Sequence, residues 1–300
     1  MKTLEESIAA AMDCAQDTVI VPFLPYILQD FWGLGTPPEI VINLVQKHCI
    51  VETDNHPSLQ NTLSVLDLGC GKGAVSIKLA ATLKCNCFGI DGIPEFIETA
   101  KEKAQEYGVD SLCRFEVGDV REKIEELEKF DVIILGATGP IFGDYYTALS
   151  TLSKHLADEG IIIIEEAYLD DTSEFQHPPY LLRKELLKLF GQAGMELIDE
   201  TVGNYSEFAD IAKEKENIAK RCNELKLKYP EKSSLFEKYA QNQTSEYDVL
   251  ENKMIGSVMA LKKIPVIEEM SSFFNAHAQI CEENAFRSGI HKCSGSMAQK

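Results

Sequence analysis

From residue 64 the chain runs Ser64-Val65-Leu66-Asp67-Leu68-Gly69-Cys70-Gly71-Lys72-Gly73, a short apolar strand driven straight into a glycine-rich turn, and helical patterning begins at Ala74. Few architectures use that order. Gly69 and Gly71 permit tight backbone torsions that other residues resist, and their missing side chains let a ligand lie against the main chain. Such a turn opens the first helix of a βαβ unit that holds a nucleotide-like group.

The rest of the chain is consistent with that unit. Apolar, β-branched runs alternate with amphipathic stretches from residue 64 to about 202, which predicts βα repeats on a sheet buried on both faces. The expected strands are Ser64–Leu68, Cys85–Ile90, Leu112–Val117, Phe130–Leu135, Ile161–Glu165 and Met195–Val202, with a final strand at Ser257–Lys262. Helices are expected at Ala74–Leu83, at Pro94–Tyr107 stopped by Gly108, at Ile141–Leu156 stopped by Gly160, and at Pro179–Phe190 stopped by Gly191 and Gly194. Residues 1–50 read as a helical N-terminal cap, broken at Pro22, Pro25 and Gly33–Pro38. Residues 51–204 and 253–265 form the expected α/β domain, and 205–252 a charged helical insertion with Phe208, Ile211, Ile218, Cys222 and Leu225 at helical spacing. Residues 266–300 are expected to hold a helix and a disordered tail.

A chain of 300 residues with 45% apolar and 26% charged content has room for one large core and an appended subdomain. Its formal net charge of −19 repels phosphate backbones and anionic lipid surfaces, and the lysines of 213–232 are interleaved with glutamates. Nucleic acid and membrane are therefore not expected partners. No apolar run approaches the roughly 20 residues of a membrane span, and Met1–Glu6 does not resemble a secretory leader. Nine scattered cysteines read as reduced thiols. The expected location is the cytoplasm.

Three acids mark successive strand ends. Asp67 lies two residues before the first glycine and can accept hydrogen bonds or neutralise a cation beside the turn. Asp91, followed by Gly92, comes about 20 residues past the turn, the spacing that brings a carboxylate to both hydroxyls of a ribose. Gly118-Asp119-Val120 closes the third strand, where a carboxylate could accept from an exocyclic amine of adenine. Gly69-x-Gly71-x-x-Ala74 also satisfies the dinucleotide fingerprint, so a nicotinamide dehydrogenase is open on the glycines alone.

With Asp67, Gly73 and the late strand Ser257–Lys262 added, the pattern resembles the class I S-adenosylmethionine-dependent methyltransferases, over roughly residues 64–202 and the closing strand. The resemblance implies a Rossmann-like seven-stranded α/β fold, doubly wound, with its last strand antiparallel. It implies S-adenosylmethionine as cofactor and S-adenosylhomocysteine as product. Carried over, Gly69, Cys70, Gly71 and Gly73 hold the methionine part, Asp91 the ribose and Asp119 the adenine, with Asp67, Gly92, Val120 and Gly136 at the same cofactor site. The implied activity is methyl transfer to a small-molecule acceptor at O, N, S or C, under a lid formed by cap and insertion. A protein acceptor, a non-catalytic cofactor-binding protein, and a dehydrogenase are the alternatives; a homodimer is left open.

The acceptor is sought outside the carboxyl ends of strands four and five. After Leu135 comes Gly136-Ala137-Thr138-Gly139-Pro140, without the Asn/Asp-Pro-Pro-Tyr/Phe pattern shared by many nucleic-acid amino methylases. Strand five ends in Glu165-Glu166, of which alternation lets one face a pocket. Either, or His177, could take a proton as the methyl arrives. Tyr26, Trp32, Tyr145, Tyr146 and Tyr168 are candidate walls that favour a sulfonium through cation–π contact. Methyl transfer from a sulfonium is an in-line displacement in which alignment supplies most of the acceleration, so a base is not required.

No metal is expected. Cys85 and Cys87 are read as pointing to opposite faces of strand two, and His277, Cys281, His291 and Cys293 match no zinc spacing.

Overall fold

A computed structural model describes residues 2–12, 14, 17–50, 62–139, 141–176, 180–208 and 210–265. Two compact units divide the chain at 263/264; the second is described only at Ile264 and Pro265, and the first carries the fold.

Among the described residues, seven strands make one sheet: β1 (Ser64–Leu68), β2 (Asn86–Asp91), β3 (Cys113–Val117), β4 (Phe130–Leu135), β5 (Leu156–Tyr168), β6 (Met195–Gly203) and β7 (Ile255–Lys263). Their order is β3-β2-β1-β4-β5-β7-β6, with β1 to β5 parallel and β7 antiparallel to both β5 and β6. The winding direction reverses between β1 and β4, and ligands of open α/β sheets bind outside the strand ends at such a reversal. This is the expected doubly wound fold with a reversed last strand.

Helices α1 (Leu4–Ala11), α2 (Leu24–Ile27) and α3 (Pro38–Cys49) precede the sheet; α4 (Ala74–Leu83), α5 (Pro94–Glu106), α6 (Val120–Lys123), α7 (Tyr145–Leu152) and α8 (Arg183–Gln192) connect its strands. Between β6 and β7 come α9 (Tyr205–Phe208), α10 (Ile211–Lys228) and α11 (Ser233–Lys253).

Alternation along the strands sorts the core into two layers. Val65, Val132, Ile134, Ile161 and Ile163 pack with Val41, Leu44 and Ile77 of α3 and α4. Leu66, Leu68, Ile133, Leu135, Ile162 and Ile164 pack on the other face with Tyr145, Leu149 and Phe190 of α7 and α8. A third cluster joins the N-terminal residues Ala9, Ile20, Leu24 and Ile27 to Ile218, Cys222, Leu225, Phe236 and Tyr239 of the helical pair. Phe236 is fully buried and meets the Phe23 ring edge-on at 5.0 Å. At the rim the Arg221 guanidinium grips both oxygens of Asp30, at 2.6 and 2.7 Å. The N-terminal segment and the insertion thus share one apolar interior.

Three local expectations change. The helix predicted at Ile141–Leu156 is only Tyr145–Leu152: Asp144 caps it, accepting from the Thr147 N–H at 2.7 Å, and a 3-10 turn ends it. Gly160 therefore lies inside β5, where an added Cβ would come within 2.7 Å of the Asp131 carbonyl oxygen of β4. The helix predicted from Pro179 starts at Arg183, because the preceding residues pair with Leu169, just past β5: Leu169 N–H donates to Leu181 O, and Arg183 N–H to Leu169 O. Cys85 and Cys87 share a face, as residues two apart on a strand must, and their sulfurs lie 3.7 Å apart.

Residues 51–61, His177, and the tail with His277, Cys281, His291 and Cys293 fall outside the described residues. No described helix is long and apolar enough to cross a membrane.

Candidate active site

The strand β1 delivers Asp67 to the mouth of the glycine turn, where its side chain is buried and accepts from Ser76 Oγ of α4 at 2.7 Å. Burial lifts its carboxyl to about 6. The turn itself is left-handed at Gly69 (φ +70°) and Gly71 (φ +54°). A Cβ on Gly69 would stand 2.4 Å from Thr138 Cγ2, so the turn and the loop after β4 close on each other only because that residue is glycine.

Asp91, at the end of β2, is likewise buried, and burial raises its carboxyl to about 6. Its Oδ2 accepts from Gly71 N–H at 2.9 Å and its Oδ1 from Ile93 N–H at 2.8 Å. A carboxylate offers about four lone-pair positions, so part of its accepting capacity is left. Beside it the helix α1 lies so close over Gly92 that a Cβ there would meet Leu4 and Ile8 at 3.0 Å. Leu4, Ile8, Ile93, Val120 and Ile141 give a small cavity of about 90 Å³ an apolar lining, and Gly69, Gly71, Asp91, Gly92, Asp119 and Gly136 also border it.

Asp119 is more heavily engaged. Its carboxylate caps α6 through the Arg121 N–H and is gripped by the Arg121 guanidinium on both oxygens, at 2.5 to 3.2 Å. Arg121 holds it below the usual carboxylate range and also donates to the Lys2 carbonyl. The lone pairs assigned to an adenine amine from sequence are thus already shared with an arginine.

Ala11 at the end of α1 and the loop residues Ala137 and Thr138 border both this cavity and a second one of about 220 Å³. There Tyr145, Glu165, Glu166, Tyr168, Tyr180 and Leu186 form the walls. Contrary to the expectation of one inward carboxylate, both glutamates line the cavity: Glu165 reaches it from the Thr36 side of β5 and Glu166 from the α7 side, because the cavity wraps the strand's end. Thr36 Oγ1 donates to Glu165 Oε2 at 2.5 Å, and the Tyr145 hydroxyl donates to Glu166 Oε2. Burial outweighs these bonds and lifts both carboxyls to about 7. Tyr168 donates to Glu200, which also receives Arg183 and Ser257.

Other sequence candidates lie elsewhere. Cys70 and Gly73 support the turn from behind: Cys70 Sγ would crowd a Cβ on Gly89, and Gly73 backs onto Phe115 and Ala100. Tyr26 is turned outward to Glu224 of α10, at 2.8 Å. Trp32 stacks near Tyr107 and binds the Lys72 carbonyl at 3.1 Å, bordering a separate surface hollow. Tyr146 is 46% exposed, since its neighbour Tyr145 takes the inward position on α7. His177 is outside the described residues.

Two functional-looking residues escaped sequence reasoning. Lys72, within the glycine turn, is 5% exposed, and its Nζ donates at 2.5 Å to the carbonyls of Leu28 and Phe31, tying the turn to the N-terminal segment. Burial draws its ammonium down to about 8. A lysine between two glycines was the available signal. Thr36 carried none, because its partner lies 129 residues away.

A family model described as a methyltransferase domain matches residues 59–226. Among curated relatives, the chain is 30% identical over 124 residues to the malonyl-[acyl-carrier protein] O-methyltransferase of Bacillus cytotoxicus, covering 39% of this chain and 40% of that protein. It is 31% identical over 128 residues to the ubiquinone biosynthesis O-methyltransferase of Rickettsia akari, covering 41% of this chain and 48% of the other. The chain spans between 40% and 65% of the length of four such relatives. The fold is also that of a SAM-dependent methyltransferase from Geobacter sulfurreducens solved with S-adenosyl-L-homocysteine: TM-score 0.58 at 20% identity, over 77% of this chain and all of that one.

Proposed function

From the premise that this chain belongs to the methyltransferase-domain family of Rossmann-like, S-adenosylmethionine-dependent proteins, we propose that it is an enzyme that transfers a methyl group from S-adenosylmethionine to a small-molecule acceptor. The observation that carries this reading is Asp91: a buried carboxylate fixed by two backbone N–H groups, with lone pairs left beside the open main chain of Gly69 and Gly71. That chemistry suits a pair of ribose hydroxyls.

In this reading Gly69 and Gly71 let the methionine part lie against the backbone, with Asp67 beneath the turn. Asp91 and Gly92 hold the ribose, and the apolar side chains of α1, Ile93, Val120 and Ile141 cover the base. Asp119 positions α6 and Arg121, with a shared role at most toward the base. When bound, the cofactor supplies an electrophilic methyl group on a sulfonium. The chain's own residues then have three tasks: to align the acceptor at the boundary formed by Ala137 and Thr138, to exclude water, and to hold or remove a proton at Glu165 or Glu166. The N-terminal segment and the α10–α11 pair act together as the lid.

The acceptor enters through the second cavity, whose size suits a small molecule. Because a net charge of −19 repels phosphate backbones and anionic membrane surfaces, we place the protein in the cytoplasm, acting on neither nucleic acid nor a membrane surface. A homodimer is compatible with this reading.

Calorimetry tests the cofactor assignment. S-adenosylhomocysteine is expected to bind in the micromolar range and to lose binding on Asp91→Ala, whereas NADH is expected not to bind. Tight NADH binding with none for S-adenosylhomocysteine would overturn the reading.

A further inference from the structure

We infer that the cavity at the end of β5 takes a small amine as methyl acceptor, with the Glu165 and Glu166 carboxylates holding its ammonium group and removing its proton. The inference rests on the methyltransferase reading and specifies its acceptor.

Charge and geometry carry it together. Among the described residues lining this cavity there are two glutamates and three tyrosines and no lysine or arginine. Glu165 is only 7% exposed. Its Oε2 accepts from Thr36, while no described residue donates to its Oε1, and among the described residues neither glutamate has an ion-pair partner. A buried carboxylate without a countercharge is costly, and a bound cation removes that cost. Tyrosine faces favour the same ligand through cation–π attraction. An anionic acceptor would meet repulsion at short range, and a neutral alcohol would leave the charge uncompensated. About 220 Å³ suits a one-ring or short-chain amine.

The step balances. One N–H bond of the ammonium breaks and its proton passes to a glutamate carboxylate, which becomes the neutral acid. The freed nitrogen lone pair forms the new N–C bond as the S–C bond breaks, and that bond's electron pair stays on sulfur. The products are an N-methylammonium ion and an uncharged thioether, with total charge conserved. A proton acceptor working near neutrality suits this removal.

Among the described residues, the groups facing the pair are Tyr145 on α7, Thr36 before α3, Tyr180 on the loop after β5, and Glu214 on α10, which accepts from Tyr247 of α11. None supplies a positive charge. Proton uptake by the pair therefore weakens amine binding as pH falls.

The test uses the full chain at pH 8, titrated calorimetrically with phenethylamine, 2-phenylethanol and phenylacetate, with and without S-adenosylhomocysteine. The amine is expected to bind at least about tenfold more tightly than the alcohol, the usual size of one charge-assisted hydrogen bond, and the carboxylate not to bind. The preference should disappear in a Glu165→Gln/Glu166→Gln double variant. In the unmodified chain, amine affinity should fall between pH 8 and pH 6, a readout that does not depend on the variant folding. No amine binding, equal binding of alcohol and amine, or amine affinity indifferent both to pH and to the double variant would overturn the inference. Failure of S-adenosylhomocysteine to bind would instead sink the cofactor reading, and the titrations without it would still report on this cavity.

Discussion

The Thr36 hydroxyl donates to Glu165 Oε2 across 2.5 Å, joining the turn before α3 to the end of β5, 129 residues later. The approach is close on all sides: a Cβ on Gly35 would overlap Ala137 Cβ at 2.1 Å, and one on Gly136 would overlap Thr36 Oγ1 at 2.2 Å. The N-terminal segment therefore packs directly against the loop after β4 and the end of β5.

Replacing Thr36 with valine keeps the shape and removes the donor. Because that bond favours the charged carboxylate, its loss should raise the Glu165 carboxyl above its present value of about 7. The acid limb of methyl transfer, followed as S-adenosylhomocysteine release against pH, should move to higher pH. Stability should fall by about 1–3 kcal/mol. An unmoved limb would separate Glu165 from the proton transfer.

The two strand-end aspartates should respond unequally. Asp91→Asn is expected to weaken S-adenosylhomocysteine by about 10- to 100-fold, the range for charge-assisted hydrogen bonds. Asp119→Asn should cost less than about tenfold, since the Arg121 fork already occupies that carboxylate. Equal losses, measured by calorimetry, would restore Asp119 to a direct role at the base.

Asp67 makes stability pH-dependent with a definite sign. Its folded-state value, about 6, exceeds the ordinary aspartate value of 3.8, so the folded state holds its proton more tightly. The stabilising contribution is complete below about pH 4 and is lost as pH rises through 6. Asp67→Asn lacks this dependence and can still accept from Ser76. Its Tm relative to the unmodified chain should therefore climb from pH 4 to pH 6 and level off above; a flat difference would contradict the assignment.

Lys72→Met should release the glycine turn from the N-terminal segment by leaving the Leu28 and Phe31 carbonyls without their donor. Thermal unfolding should show a loss of about 1–3 kcal/mol for those buried acceptors. An unchanged Tm would mean that the two carbonyls find other donors.

The elements whose causes are local were the legible ones. The strands β1 and β4 and the helix α4 have the bounds that apolar runs and the glycine turn predict, and the reversed β7 is expected from the pattern as a whole. The start of β5 was not legible, because Gly160 reads as a helix stop when its neighbour is unseen; the Asp131 carbonyl pressing on it explains the glycine. Aromatic residues signal burial without naming the partner, so the sequence points Tyr26 and Trp32 toward a pocket that neither borders. Thr36 and Lys72 act through long-range contacts with main chain or side chain, which no spacing along the sequence announces.

The most direct measurement is a crystal structure of the chain with S-adenosylhomocysteine. The ribose hydroxyls should lie within hydrogen-bond reach of Asp91, the methionine part along Gly69 and Gly71, and the sulfur should face the boundary at Ala137 and Thr138. A ligand seated elsewhere, or an Asp91 carboxylate making no contact with it, would contradict the account.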